Sequence, residues 1–398
     1  MRRPLAVYGI ALAAVAGGLA LPGVLYEAGV RPAWMERFSL RWRLASDELA
    51  SIAYRRESLE LFKLALRRDP ASPYRWCDYG EAQLAAGDAA GARRAMARGL
   101  ELGPAIGPIL MRQVNFARRV DDAGTALRAG RRLLELVPDY DDAVFTTWDR
   151  MEIPTAQALD SGLPDRRAAQ SYLRHTVEGL NLARAADAWA WLLRRGYVDD
   201  ALADNYAAAL VRRGAAAAAW QAWTAYAGAR EPGYPERNTI FNPGFEREPA
   251  GTTFDWRMET SPGVAVVRDL SAAAEGKASL RLSFDGTENV TDCGVSQRMV
   301  LQPGTYSFEG RMKTRELTTD EGLGFRVFDP ENPSLLDART ARLSGTHDWT
   351  VLQVSFEVRP ATRLVEVRVV RAPSLKFDDK VAGTAWIDGL VLRSARRN

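Results

Sequence analysis

Two cysteines and two histidines are all that 398 residues contain, and each shortage closes off a class of chemistry. Cys77 and Cys293 belong to no CxxC or zinc-type spacing, so they read as buried free thiols, with an interdomain disulfide as the alternative. His175 and His347 form no HExxH pair, and neither a GxSxG elbow nor a Walker loop occurs. An excess of one charge is missing too. Lys and Arg total 53 against 50 Asp and Glu, a formal net of +3, which argues against nucleic acid as the partner. The basic pairs Arg67-Arg68, Arg194-Arg195 and Arg212-Arg213 sit just before a Pro or Gly that ends a helix, where they offset the negative end of its dipole. The acidic pairs Asp121-Asp122, Asp141-Asp142 and Asp199-Asp200 fall where helices begin, the complementary arrangement. The expectation is a non-catalytic protein.

Long apolar runs are scarce as well, with one exception. Residues 5–26 form 22 positions without charge, preceded by Arg2 and Arg3. That length crosses a bilayer as a helix, and the leading positive charge puts the rest of the chain on the far side. A single-pass inner-membrane anchor over 1–27 with its body in the periplasm is therefore expected. The alternative is a cleaved signal segment, since Ala14-Val15-Ala16 and Gly18-Leu19-Ala20 offer small-residue sites. Trp34 and Phe38 lie just beyond, at headgroup level or in the first helix pair.

The sequence then becomes periodic. Pro70, Pro104 and Pro138 are 34 residues apart. In that register Trp42, Trp76 and Leu110 form one column, and Ser46, Gly80 and Val114 another. Ser58, Ala92 and Ala126 form a third, and Leu66, Leu100 and Leu134 a fourth. Large residues early, small residues where helices cross and a closing proline resemble the tetratricopeptide repeat. That resemblance implies a solenoid of helix pairs, here over 28–227, which docks a protein partner on its concave surface. The third unit is a loose copy, because Gly130 stands where an aromatic is expected. After Asp141 the register fails and Trp148 falls late. Helical periodicity resumes at 167–179, 182–195, 199–213 and 215–226, read as two degenerate pairs, with an irregular bundle as the alternative.

Pro232, Gly233 and Pro235 mark a linker at 228–237. From residue 238 the period changes to two. Alternation at 279–284, 304–313, 351–358 and 364–370, with turn signals such as Gln302-Pro303-Gly304, predicts about ten strands in one antiparallel β-sandwich over 238–398. Within it, Asn242-Pro243-Gly244-Phe245-Glu246, Trp256, Gly276 to Leu282, Leu301 to Tyr306, Asp348-Trp349 and Ala385-Trp386-Ile387-Asp388 follow in order. This series resembles the galactose-binding-like jelly roll of bacterial carbohydrate-binding modules. The resemblance implies a structural calcium ion held by Glu246 and Asp388. The alternative for both is pairing with Arg or capping of turns.

A glycan needs flat apolar faces and polar groups beside them. The candidates are Trp256 and Asp255 (with Phe254 and Arg257 adjacent), Arg326 and Phe328 (beside Phe325 and Asp329), Trp349, Arg311 and Gln297. The whole layout resembles proteins found with bacterial exopolysaccharide or surface-polysaccharide machinery. It implies an accessory protein that binds a protein partner through its repeats and a polysaccharide through its sandwich. The alternative is a purely protein-binding scaffold.

Overall fold

The computed structural model describes residues 41–231, 233–372, 374 and 380–395, with side chains from Ser46 onward. The expected anchor, Trp34, Phe38 and the side chain of Trp42 lie outside the described residues. Among the described residues no helix is long and apolar enough to cross a membrane.

Helices come first: α1 (Arg41–Arg56), α2 (Leu59–Arg68), α3 (Pro73–Ala85), α4 (Ala89–Leu102), α5 (Gly107–Arg119), α6 (Ala123–Leu136) and α7 (Asp141–Arg150). A short helical turn and a π-helical segment follow at Thr155–Gln157 and Ala158–Gly162, and then α8 (Arg166–Glu178), α9 (Leu182–Arg194), α10 (Asp200–Arg212) and α11 (Ala216–Ala227). The starts of α3, α5 and α7, at 73, 107 and 141, keep the 34-residue interval. Pro70, Pro104 and Pro138 each lie two residues past a helix end, where the missing N–H stops propagation. Asp88, Asp122 and Asp199 cap α4, α6 and α10 by accepting from Gly91, Thr125 and Leu202 backbone amides.

Small residues are needed where the helices touch. A Cβ on Gly80 would lie 3.0 Å from Met96 Cγ, and Ala92 and Ala126 are fully buried. Ser46, also fully buried, donates to the Ala65 carbonyl at 2.8 Å.

The chain divides into two compact units, Met1–Thr176 with Ala183–Ala188 and Val177–Leu182 with Trp189–Asn398. The second unit therefore contains α10, α11 and all ten strands. Residues 228–231 and 233–237 are turns and a bend, but Tyr234 among them is buried, with ring centroids 5.9 Å from Trp220 and 5.3 Å from Phe241. Trp220 also packs at 5.2 Å on Phe254, and Trp223 at 5.6 Å on Phe241. Through these contacts α11 packs against the sandwich, with Trp220 resting on its core.

The strands are β1 (Arg257–Met258), β2 (Val264–Asp269), β3 (Ser279–Asp285), β4 (Asp292–Met299), β5 (Gly304–Leu317), β6 (Leu323–Phe328), β7 (Asp337–Arg339), β8 (Gly345–Val358), β9 (Val365–Arg371) and β10 (Ala382–Ser394). They form two antiparallel five-stranded sheets, β1-β4-β9-β6-β7 and β2-β3-β10-β5-β8. Alternation sets the core as the sequence indicates. Tyr306, Phe308, Gly310 and Met312 of β5 point inward, and Phe308 meets Phe325 of the other sheet edge-on at 5.2 Å. Cys77 and Cys293 are both buried and free. Burial pushes the Cys77 thiol up to about 12 and Cys293 up further.

Candidate functional site

The sequence-predicted ligand residues fall in three separate places. Trp256 is fully buried, packs on Phe245 at 5.1 Å and donates its indole N–H to the Asn242 carbonyl at 3.1 Å. It is a core residue and has no face for a sugar. Asp255 is 3 % exposed, and its carboxylate accepts the amides of Ala250 (2.8 Å) and Trp256 (2.7 Å). Burial raises its pKa despite those bonds. Asp255 therefore ties the loop before β1 and does not reach a ligand. Gln297 is equally occupied: its amide donates to and accepts from the Phe241 backbone, both at 2.9 Å.

Arg311 lies on the outward face of the sheet β2-β3-β10-β5-β8, to which Trp349 also belongs. Arg311 is opposite Val351 and pairs with Glu275 at 2.6 Å. Trp349 is half-buried on β8, inside the bulge between His347 and Thr350. Arg326 and Phe328 lie on the outward face of the opposite sheet, so the four cannot converge on one ligand. Phe328 is also covered. It is 6 % exposed, with the Arg326 guanidinium 4.1 Å and the Arg368 guanidinium 5.5 Å from its ring centre.

The face around Arg326 is nevertheless the most developed surface of the sandwich. Val295, Met299, Leu323, Phe325, Val327, Val365, Val367 and Val369 face the core, which turns Ser296, Arg298, Gly324, Arg326, Phe328, Glu366, Arg368 and Val370 outward. Glu366 is fully buried on this face. Arg298 Nε binds its Oε2 at 2.8 Å and Arg368 Nε its Oε1 at 2.7 Å. Arg368 also reaches Asp292 at 2.5 Å, and these two carboxylates raise its pKa against the opposing effect of burial.

At one end of this face is a concavity of about 290 Å³, lined among others by Gly324, Arg339, Thr340, Arg342 and Val370. Gly324 is there because segment 340–342 runs close to β6. A Cβ would lie 2.8 Å from the Ala341 carbonyl and 3.0 Å from Thr340 Oγ1. Thr340 Oγ1 takes the place of a backbone carbonyl by accepting from the Phe325 amide at 3.0 Å. The sequence marks this place faintly, through a glycine inside a strand pattern. Nothing local in it singles out Arg339 or Arg342.

Glu246 and Asp388, the expected calcium ligands, do come together, both beside Gly244. A Cβ on Gly244 would lie 3.3 Å from Asp388 Oδ1 and 4.0 Å from Glu246 Oε1. Glu246 Oε1 accepts the amides of Lys277 (2.7 Å) and Ala278 (3.2 Å). Asp388 Oδ2 accepts those of Ala274 (2.7 Å) and Glu275 (2.9 Å), and its Oδ1 that of Gly389 (2.6 Å). Both therefore cap turns, and among the described residues neither has an Arg or Lys partner. Asp388 is fully buried, and its pKa is raised by that burial. Two carboxylates without countercharge suit a cation. Among the described residues no group of three or more His, Cys, Asp or Glu could hold a metal, so backbone carbonyls and water would supply the remaining ligands.

No family model matches the chain, and no curated protein matches it. Solved structures do. The chain is similar to a family 16 carbohydrate-binding module, with 21 % identity over 39 % of this chain and 99 % of that one and a TM-score of 0.28. It is similar to a CBM4 module at 12 % identity, over 39 % of this chain and 99 % of that one, with a TM-score of 0.28. A third is the CBM22-1 xylan-binding domain from Paenibacillus barcinonensis Xyn10C, at 17 % identity over 36 % and 87 % of the two chains, with a TM-score of 0.24.

Proposed function

We propose that this chain is a non-catalytic accessory protein whose β-sandwich binds a polysaccharide on the outward face of the sheet β1-β4-β9-β6-β7. The observation that carries the reading is the concavity beside Gly324. There a sheet face rich in hydrogen-bonding side chains opens into a pocket of about 290 Å³ walled by two arginines. In this reading the helical unit is a tetratricopeptide-type scaffold for a protein partner. Its 34-residue interval and a groove of about 450 Å³ beside Tyr54, Phe62, Asp78 and Glu81 support that role. The apolar run at 5–26 would hold the protein in the inner membrane with its body in the periplasm, where a polymer being made or exported emerges. A structural calcium ion at Glu246 and Asp388 belongs to the same proposal.

One observation favours the purely protein-binding scaffold instead. Among the described residues of the sandwich no Trp, Tyr or Phe is exposed, and Trp349 is only half-buried, so a stacking platform for sugar rings is missing. Affinity electrophoresis of the full chain across a broad panel of neutral and acidic polysaccharides separates the two. Retardation by at least one polymer is expected. Free migration in all of them establishes the scaffold reading.

A further inference from the structure

The outward face of the sheet β1-β4-β9-β6-β7 carries one line of residues set directly opposite one another: Arg257, Ser296, Arg368, Arg326 and Arg339. Four of the five positions are arginine, over about 19 Å at ordinary interstrand spacing. Like charges opposed across strands repel, and the fold offsets them with Glu259, Asp292, Glu366 and Asp337. The offset is uneven at the β7 end. Asp337 gives both oxygens to Arg326, at 2.8 and 3.0 Å. Arg339 is left with a single 3.4 Å contact from Nε to the oxygen that Arg326 already holds.

The two terminal nitrogens of Arg339 have no partner among the described residues, and its side chain is 52 % exposed. They border the concavity floored by Gly324 and Val370, with Arg342 lining it as well. Arg342 is 47 % exposed and pairs through Nη1 with Glu321. Phe328, the aromatic of this face, is covered by two guanidinium groups. A neutral ring therefore finds no surface to stack on, whereas a planar carboxylate matches the two N–H groups of an unshared guanidinium fork.

Resting on the polysaccharide-binding reading, we propose that the ligand is an acidic polysaccharide, one of whose uronate carboxylates seats against Arg339 with Arg342 alongside.

The test is affinity electrophoresis of the full chain in gels holding polygalacturonate, alginate or hyaluronate, each beside the same polymer with its carboxyls reduced to alcohols. At least one acidic polymer should retard the protein and its reduced form should not. Arg339→Gln should weaken binding about tenfold or more, the loss of one charge-assisted pair. Arg339→Lys, which keeps the charge without the fork, should fall between. Lys313→Gln, on the opposite sheet, should bind as the parent does. Equal retardation by a reduced polymer would overturn the acidic assignment and leave polysaccharide binding standing. Equal weakening by the Arg339 and Lys313 variants would overturn the site. Retardation by no polymer of either kind would overturn both readings.

Discussion

A Cβ placed on Gly130 would lie 2.6 Å from Cζ2 of Trp148. The indole is fully buried and donates to the Ala126 carbonyl at 3.2 Å, and Gly162 approaches its far edge just as closely. Glycine normally weakens a helix interior, here α6, so Gly130→Ala would gain about 1 kcal/mol in propensity. The clash opposes that gain with about 1–3 kcal/mol of overpacking. Gly130→Ala should therefore lower the stability of the helical unit by up to about 2 kcal/mol. Urea unfolding followed by circular dichroism at 222 nm checks this, and a variant as stable as the parent would mean that the indole is free to move.

That pair also explains where the sequence was readable and where it misled. The repeat register puts an aromatic at position 130 and finds glycine, then finds Trp148 late. The structure joins the two anomalies: the ring returns from α7 to the space that Gly130 leaves. Periodicity reports which face of a helix is apolar, but not which ring from another helix fills a given gap. The strands were legible for the same reason, since alternation with period two is a local signal.

Glu366 is the structural keystone of the arginine face. It is fully buried between Arg298 and Arg368, whose side chains are 31 % and 29 % exposed. Glu366→Gln keeps the shape and removes the charge, leaving two guanidinium groups without their shared anion. Breaking a buried pair costs about 3–5 kcal/mol, and partial solvation of both arginines brings the expected loss to about 2–3 kcal/mol. Thermal unfolding of the variant measures it. A melting temperature equal to that of the parent would show that water already screens the pair.

His175 makes the helical unit sensitive to pH. Its Nδ1 is 2.6 Å from Asp142 and its Nε2 2.9 Å from Asp149, which Arg184 also holds at 2.6 Å. Burial works against the charged ring, but the hydrogen bonds to Asp149 and Asp142 outweigh it, so the pKa is raised above 6.5. A folded-state value above the unfolded one means stability that is complete below about pH 6.5 and lost as the pH rises through the folded-state value. The melting temperature should fall from pH 6 toward pH 9, and His175→Gln should flatten that slope. The same slope in the variant would assign it to other groups.

The candidate site was far less legible than the fold, and the reason is geometric. Trp256 and Asp255 have the residue types of a sugar site, but whether a tryptophan is a platform or core depends on what covers it. Phe245 and the Asn242 carbonyl do so here. Arg311 and Arg326 both alternate outward, yet they belong to different sheets, and sheet membership is set by the pairing of β5 with β8 and β10 and of β6 with β7 and β9. Such pairings join residues far apart in sequence, where no local pattern reaches.

The proposal of a calcium ion rests on Glu246 and Asp388. Both approach Gly244, both accept only backbone amides among the described contacts, and Asp388 is wholly buried. A cation there would neutralise two carboxylates that the protein leaves without countercharge. A ligand present at a hundred times its dissociation constant stabilises the folded state by about 2.7 kcal/mol. For a unit of some 200 residues that is about 5–10 °C in melting temperature. Chelation of purified protein should lower the sandwich transition by that amount, calcium should restore it and magnesium should not, because magnesium demands a tighter octahedral shell. Asp388→Asn should melt lower and no longer respond to chelator. A parent protein whose melting is the same with chelator and with calcium would reduce both carboxylates to caps of the 274–278 turn and the β10 bulge.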